Sequence, residues 1–97
     1  MSENVGYSSL SPATAKFGHS SCTTSPKFID AIDWPVRRYV TIKNDDGGTK
    51  ILYVGLPGAA ASGFALHGGQ QIQVEVNQLH ALEIVASDTL DYSWSVL

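Results

Sequence analysis

The sequence predicts an all-β domain, a small antiparallel β-sandwich or barrel of Ig-like or jelly-roll-like type, preceded by a long extended N-terminal arm. Three observations lead there. Apolar residues alternate with polar ones at a spacing of two in several short stretches of the second half. Gly, Asp and Asn clusters separate those stretches. The first third shows neither pattern: residues 1–26 hold ten Ser or Thr, two prolines and only two charges, Glu3 and Lys16.

The arm is read as residues 1–34. Its apolar residues stand alone (Val5, Tyr7, Leu10, Phe17). Ser and Thr side chains compete for backbone hydrogen bonds, and Pro12 and Pro26 interrupt regular pairing. The spaced aromatics Tyr7, Phe17, Phe28 and Trp34 suit an extended segment docked on a partner or on a sheet edge. Ser25 followed by Pro26 reads as the start of a short helical turn over residues 26–32.

The sandwich domain is read as residues 35–97, with five strands. Residues 36–43 alternate, with Val36, Arg38, Val40 and Ile42 on one face. Asn44-Asp45-Asp46-Gly47-Gly48 reads as a hairpin loop leading to a strand over residues 49–56. Residues 58–69 carry four glycines and read as a long loop whose Phe64 and Leu66 plug into the core. Ile72, Val74 and Val76 then point inward along residues 70–77. Residues 81–86 form a short strand, residues 87–91 a turn, and Tyr92, Trp94 and Val96 face inward along the last strand. Five strands leave two open sheet edges, one of which the arm can cover, in its own chain or a neighbour's.

Composition narrows the function. The 97 residues allow one domain, and no run approaches the roughly 18 apolar residues of a spanning helix. Met1-Ser2-Glu3-Asn4 starts no basic-then-apolar pattern, so no secretory signal is expected. A net charge of −3 argues against binding nucleic acid through its phosphates. One cysteine, Cys22, gives no intrachain disulfide. Charged residues make up only 15%, below the usual quarter, which suits a surface in contact with other protein.

No motif calls for catalysis, a metal or a cofactor. His19 and Cys22 form a His-x-x-Cys pair, but His67 and His80 have no ligand spacing around them. Asp30 with Asp33, and Asp88 with Asp91, are carboxylate pairs of the kind turns contain. No Gly-x-Ser-x-Gly elbow and no Gly-Lys-Ser/Thr phosphate loop occurs. What remains is a set of candidate protein-interaction residues. Tyr7, Phe17, Phe28 and Trp34 lie on the arm, and Arg37 and Arg38 form the only basic cluster at its root. Trp94 and Tyr92 are also the candidates for a sugar-stacking platform, or else simply core if they face inward, and a glycan-binding module would depend on exposed Trp34 or Trp94.

One stretch carries family information. Residues 49–97 contain a strand ending Tyr53-Val54-Gly55, then Gly63-Phe64-Ala65-Leu66 and Gly68-Gly69. Ile72-x-Val74-x-Val76, Leu82-x-Ile84-Val85-Ala86-Ser87 and a closing aromatic strand follow. This resembles small β-sandwich structural proteins of tailed-bacteriophage virions, of the capsid decoration, cement or head-fibre type. The match covers about half the chain. It departs from the family's pattern at Ala65 and at His67-Gly68, where a proline and a Pro/Ala-Gly are common. The resemblance implies a protein of the virion's capsid surface, assembled in the bacterial cytoplasm. Its partners would be the major capsid protein and copies of itself in a homotrimer, with no nucleic acid and no membrane. Neck, tail or head-fibre accessory proteins and a glycan-binding adhesion module are the alternatives.

Overall fold

The computed structural model describes residues 15–97. Tyr7 and the rest of residues 1–14 lie outside that range. The fold is all-β. Eight strands run in chain order: β1 (Lys16–Cys22), β2 (Lys27–Phe28), β3 (Val40–Asn44), β4 (Leu52–Gly55), β5 (Phe64–Leu66), β6 (Gln71–Val74), β7 (Glu83–Ala86) and β8 (Leu90–Val96). Two 3-10 turns, Ala60–Ser62 and Leu79–Ala81, interrupt them. The strands form two four-stranded antiparallel sheets, β1-β8-β3-β6 and β2-β7-β4-β5.

Between the sheets lies one core. Val40, Ile42, Tyr92, Trp94 and Val96 come from the first sheet; Leu52, Val54, Leu66, Ile84 and Ala86 come from the second. Leu79, Leu82 and Ile29 fill in from the connections. The alternation read over residues 36–43 holds only from Val40, since β3 starts there and Arg38, read on the face of Val40 and Ile42, lies in a bend and is exposed; the two later stretches face as their alternation requires. Tyr92, Trp94 and Val96 are buried, and Ile72, Val74 and Val76 pack on the core from β6 and its continuation.

Within the segment read as an arm, residues 16–28 belong to the sandwich itself, so the sandwich begins before residue 35. β1 pairs with β8 over its full length, from Lys16 opposite Val96 to Cys22 opposite Leu90. β2 pairs with β7, Lys27 opposite Ile84. The reason is steric fit. Gly18 lies opposite Trp94, and a Cβ there would come within 2.7 Å of the indole. Ser20 lies opposite Tyr92. Small residues on β1 make room for large ones on β8, so β1 carries no apolar alternation of its own. Ser25 and Pro26 start no helix, since residues 27–28 are the strand β2.

β3 and β4 do not form a hairpin; they belong to different sheets, and the loop crosses between them. Asn44 holds that crossing. Its side chain is fully buried, and Nδ2 donates to the carbonyls of Lys50 (3.0 Å) and Leu66 (2.9 Å) while Oδ1 accepts from the Asp46 amide (2.9 Å). One amide thereby ties β3 to the approach to β4 and to the end of β5.

The loop read over residues 58–69 contains β5. Leu66 is buried as expected, but Phe64 is 57% exposed. Phe64 pairs with Val54, at the outermost strand of its sheet, where the facing sheet does not cover the ring. Gly63 makes the close approach that β5 needs: a Cβ there would sit 2.1 Å from the Val54 carbonyl oxygen. Gly69, at φ +81°, turns the chain from β5 into β6.

Candidate interaction surface

The candidate residues do not gather in one place. Phe17 follows Lys16 on β1. Since Gly18 faces Trp94 in the core, Phe17 points to the outer face of the first sheet, where it is 62% exposed. It shares its row with Ser95, Thr41 and Gln73. The next row is His19, Ser93, Lys43 and Gln71. This face is therefore mostly a hydroxyl and amide surface, with the Lys43 cation in its middle and the exposed rings of Phe17 and His19 at its β1 edge.

Phe28 lies at the edge of the second sheet and is half-exposed. Its ring stacks on the imidazole of His80 with centroids 4.1 Å apart and planes 8° from parallel. Trp34 is a structural anchor more than an offered surface. It packs against the core, and its Nε1 donates to Asp30 Oδ2 at 3.0 Å. The Lys16 ammonium sits 4.9 Å from the indole centre.

Around Trp34 a strap forms between residues 30–36 and residues 77–80. The Trp34 carbonyl accepts from the Leu79 amide, and the Asn77 carbonyl accepts from the Val36 amide, both at 3.0 Å. Asp33 Oδ1 accepts from the His80 amide at 2.7 Å, and His80 Nε2 lies 3.0 Å from the Asp30 carbonyl oxygen. Asp30 and Asp33 thus serve as backbone-binding turn residues. His80, which the sequence offers only as a histidine without ligand spacing, gains its role from stacking on Phe28, and nothing local in Leu79-His80-Ala81 announces a partner some 50 residues earlier.

Arg37 and Arg38 are exposed, and among the described residues neither guanidinium has an ion-pair partner. The backbone beneath them is fixed, since the amides of Arg38 and Tyr39 donate to the Leu97 carbonyl and the Leu97 amide donates back to Tyr39 at 3.1 Å. The two arginines therefore stand on a held segment with their heads in solvent.

Most of the chemistry-bearing groups elsewhere are engaged in the fold. Cys22 is buried, and burial pushes its thiol pKa up despite the nearby Lys27 ammonium. His19 points outward from β1, on the face opposite Cys22, so the His-x-x-Cys pair is not brought together. A depression of about 320 Å³ is lined by Asp45, Asp46, Lys50, Thr89 and Asp91, among others. The Lys50 ammonium donates to the Thr89 carbonyl at 2.7 Å, Asp45 accepts from Ser93 Oγ at 2.6 Å, and Asp46 accepts from the amides of Gly48 and Lys50. Among the described residues no three His, Cys, Asp or Glu side chains are grouped to hold a metal ion. No helix among them is long and apolar enough to cross a membrane.

Three of the stretches behind the phage resemblance lie side by side, while Ile72, Val74 and the closing aromatic strand belong to the first sheet. Tyr53-Val54-Gly55 ends β4, Phe64-Ala65-Leu66 is β5, and Ile84-Val85-Ala86 ends β7; these are three neighbouring strands of one sheet. Compared with known proteins, the chain matches no family model, no curated protein and no solved structure.

Proposed function

We propose that this chain is a structural protein of a tailed-phage virion. In this reading it is a capsid decoration or cement protein that binds the outer shell and clamps neighbouring capsid subunits, working with copies of itself as a trimer. The observation that carries the reading is the adjacency of the resembling segments. The Tyr-Val-Gly strand end, the Gly-Phe-x-Leu segment and the Ile-Val-Ala strand lie on neighbouring strands of one sheet, and the other resembling segments pack on the same core from the facing sheet, so the likeness is a packing unit. A surface low in charge, with exposed Phe17, Phe64, Arg37 and Arg38, supports protein contact as the mode of action. Many weak contacts repeated over a shell add through multivalency.

The test is co-sedimentation with heads of the phage that encodes the chain. Saturable binding distributed over the shell supports the reading; a chain that stays in the supernatant at micromolar concentration overturns it. Binding confined to a ring of six or twelve copies would move the protein to the neck or tail. A glycan-binding module is less well supported, because Trp94 is buried in the core and Trp34 is packed and hydrogen-bonded. Neither indole offers a flat open face.

A further inference from the structure

A cleft of about 420 Å³ opens between the outermost strands β5 and β6. It is lined by Phe64, Ala65, Leu66, His67, Gln70 and Gln71. Its character follows from register. Phe64 pairs with buried Val54 and so stands on the core side of its sheet. Leu66, two residues on, is buried and belongs to the core. The core therefore continues into the cleft and meets solvent there, and an apolar side chain entering beside Phe64 would extend it.

We infer that this cleft receives the N-terminal segment, residues 1–14, of a second copy of the chain, with Tyr7 seated against Phe64. The inference rests on the reading that the chain assembles with copies of itself, and it names the contact. Topology supplies the argument. One short connection, residues 23–26, joins β1 to β2 at one side of the sandwich; another, residues 67–70, joins β5 to β6 at the opposite side. Residues 1–14 enter the fold at Ala15, beside β1. The cleft lies beyond β6, across β8 and β3, a distance of about 14 Å at the usual strand spacing.

To reach its own cleft, the segment would have to cross the outer face of the first sheet. The middle of that face presents Ser95, Thr41, Ser93 and Lys43, which give no seat for Val5, Tyr7 or Leu10. A neighbour placed edge to edge brings its β6 beside β1, so its cleft is nearer. From Ala15 to Tyr7 the extended chain covers up to about 26–29 Å, ample for that step. Donor and acceptor surfaces lie on opposite sides of the domain, so the contact is head to tail, and three copies complete it where the rotation between neighbours closes the ring.

The test uses the full chain and light scattering after size exclusion. The wild type is expected at a mass near three chains. Tyr7→Asp and Phe64→Asp, both with unchanged near-ultraviolet circular dichroism, are each expected near one chain at the same concentration. Mixed in equal amounts, they should form a pair. The intact segment of the Phe64→Asp chain enters the intact cleft of the Tyr7→Asp chain, which a segment seated in its own cleft cannot reproduce. If Phe64→Asp misfolds, Phe64→Ser carries the same readout.

A monomeric wild type, variants that keep the wild-type mass, or a mixture that stays at one chain overturns the inference. Variants that remain trimeric yet lose binding to heads would mean that the segment contacts the shell, which sinks this contact and leaves the virion reading standing. Heads that bind no form of the chain would sink the virion reading, whatever the masses show.

Discussion

The Tyr92 hydroxyl donates a hydrogen bond to the backbone carbonyl of Ile29 inside the core. It joins the last strand of one sheet to the residue that follows β2 at the edge of the other. Tyr92 and Ile29 are both fully buried, so this bond has no water to replace it. Tyr92→Phe keeps the ring and leaves the Ile29 carbonyl without its donor. The expected cost is about 1–2 kcal/mol, read as a lower urea midpoint with unchanged slope.

The same hydroxyl makes stability fall in alkali. Its pKa is pushed up to about 12, first by burial and then by the negative charges of Cys22 and Asp30, against an opposing hydrogen bond from Ser20. An unfolded tyrosine titrates near 10. The folded state thus favours the neutral phenol. That contribution is complete below about pH 10 and is lost as pH rises through about 12. Between about pH 9 and about pH 11, the stability gap between wild type and Tyr92→Phe should narrow by roughly 1 kcal/mol. An unchanged gap would show that the hydroxyl is not held in a buried site.

Asn44 gives a prediction with an internal control. Asn44→Ala leaves the carbonyls of Lys50 and Leu66 without their shared donor, for an expected loss of about 2–4 kcal/mol. Asn44→Asp keeps the size but replaces the donor with an acceptor facing two carbonyl oxygens. At neutral pH it should be the more damaging of the two, and acidification should recover part of the loss by protonating the carboxylate. Thermal unfolding of both variants at two pH values decides this.

Truncation separates the sandwich from what precedes it. Removing residues 1–14 should leave the near-ultraviolet signature of Trp94 and Tyr92 in place. Removing residues 1–30 takes away β1, β2, and the core residues Cys22 and Ile29. It should give an unfolded or aggregating chain. The sequence reading would have allowed the longer cut; a stable domain from residue 31 onwards would restore its boundary.

How far each element could be read from sequence depended on whether its side chains carried their own pattern. Tyr92, Trp94 and Val96 alternate with serines, and Ile72, Val74 and Val76 alternate with Gln and Glu, so those faces were readable. β1 was not readable as a core-facing strand, since its inner positions are Lys16, Gly18, Ser20 and Cys22, of which Gly18 and Ser20 are small residues that complement Trp94 and Tyr92 on another strand. Asn44 looked like a turn residue because local turn chemistry is the same whether the chain returns to the same sheet or crosses to the other. Among the interaction candidates, exposed Phe17, Arg37 and Arg38 were accessible from sequence. The role of Trp34 was not, because its partner Asp30 is set by the fold of the strap. The cleft beside Phe64 was missed for a related reason: a core-facing parity predicts burial, and only the sheet order places that residue at an open edge.

The most direct test of the virion reading is an electron cryomicroscopy reconstruction of the phage's heads incubated with the purified chain, compared with bare heads. Added density of sandwich size at threefold and quasi-threefold positions over the whole shell is the predicted result. Heads indistinguishable from the bare ones at saturating concentration, or density restricted to the neck, would contradict it.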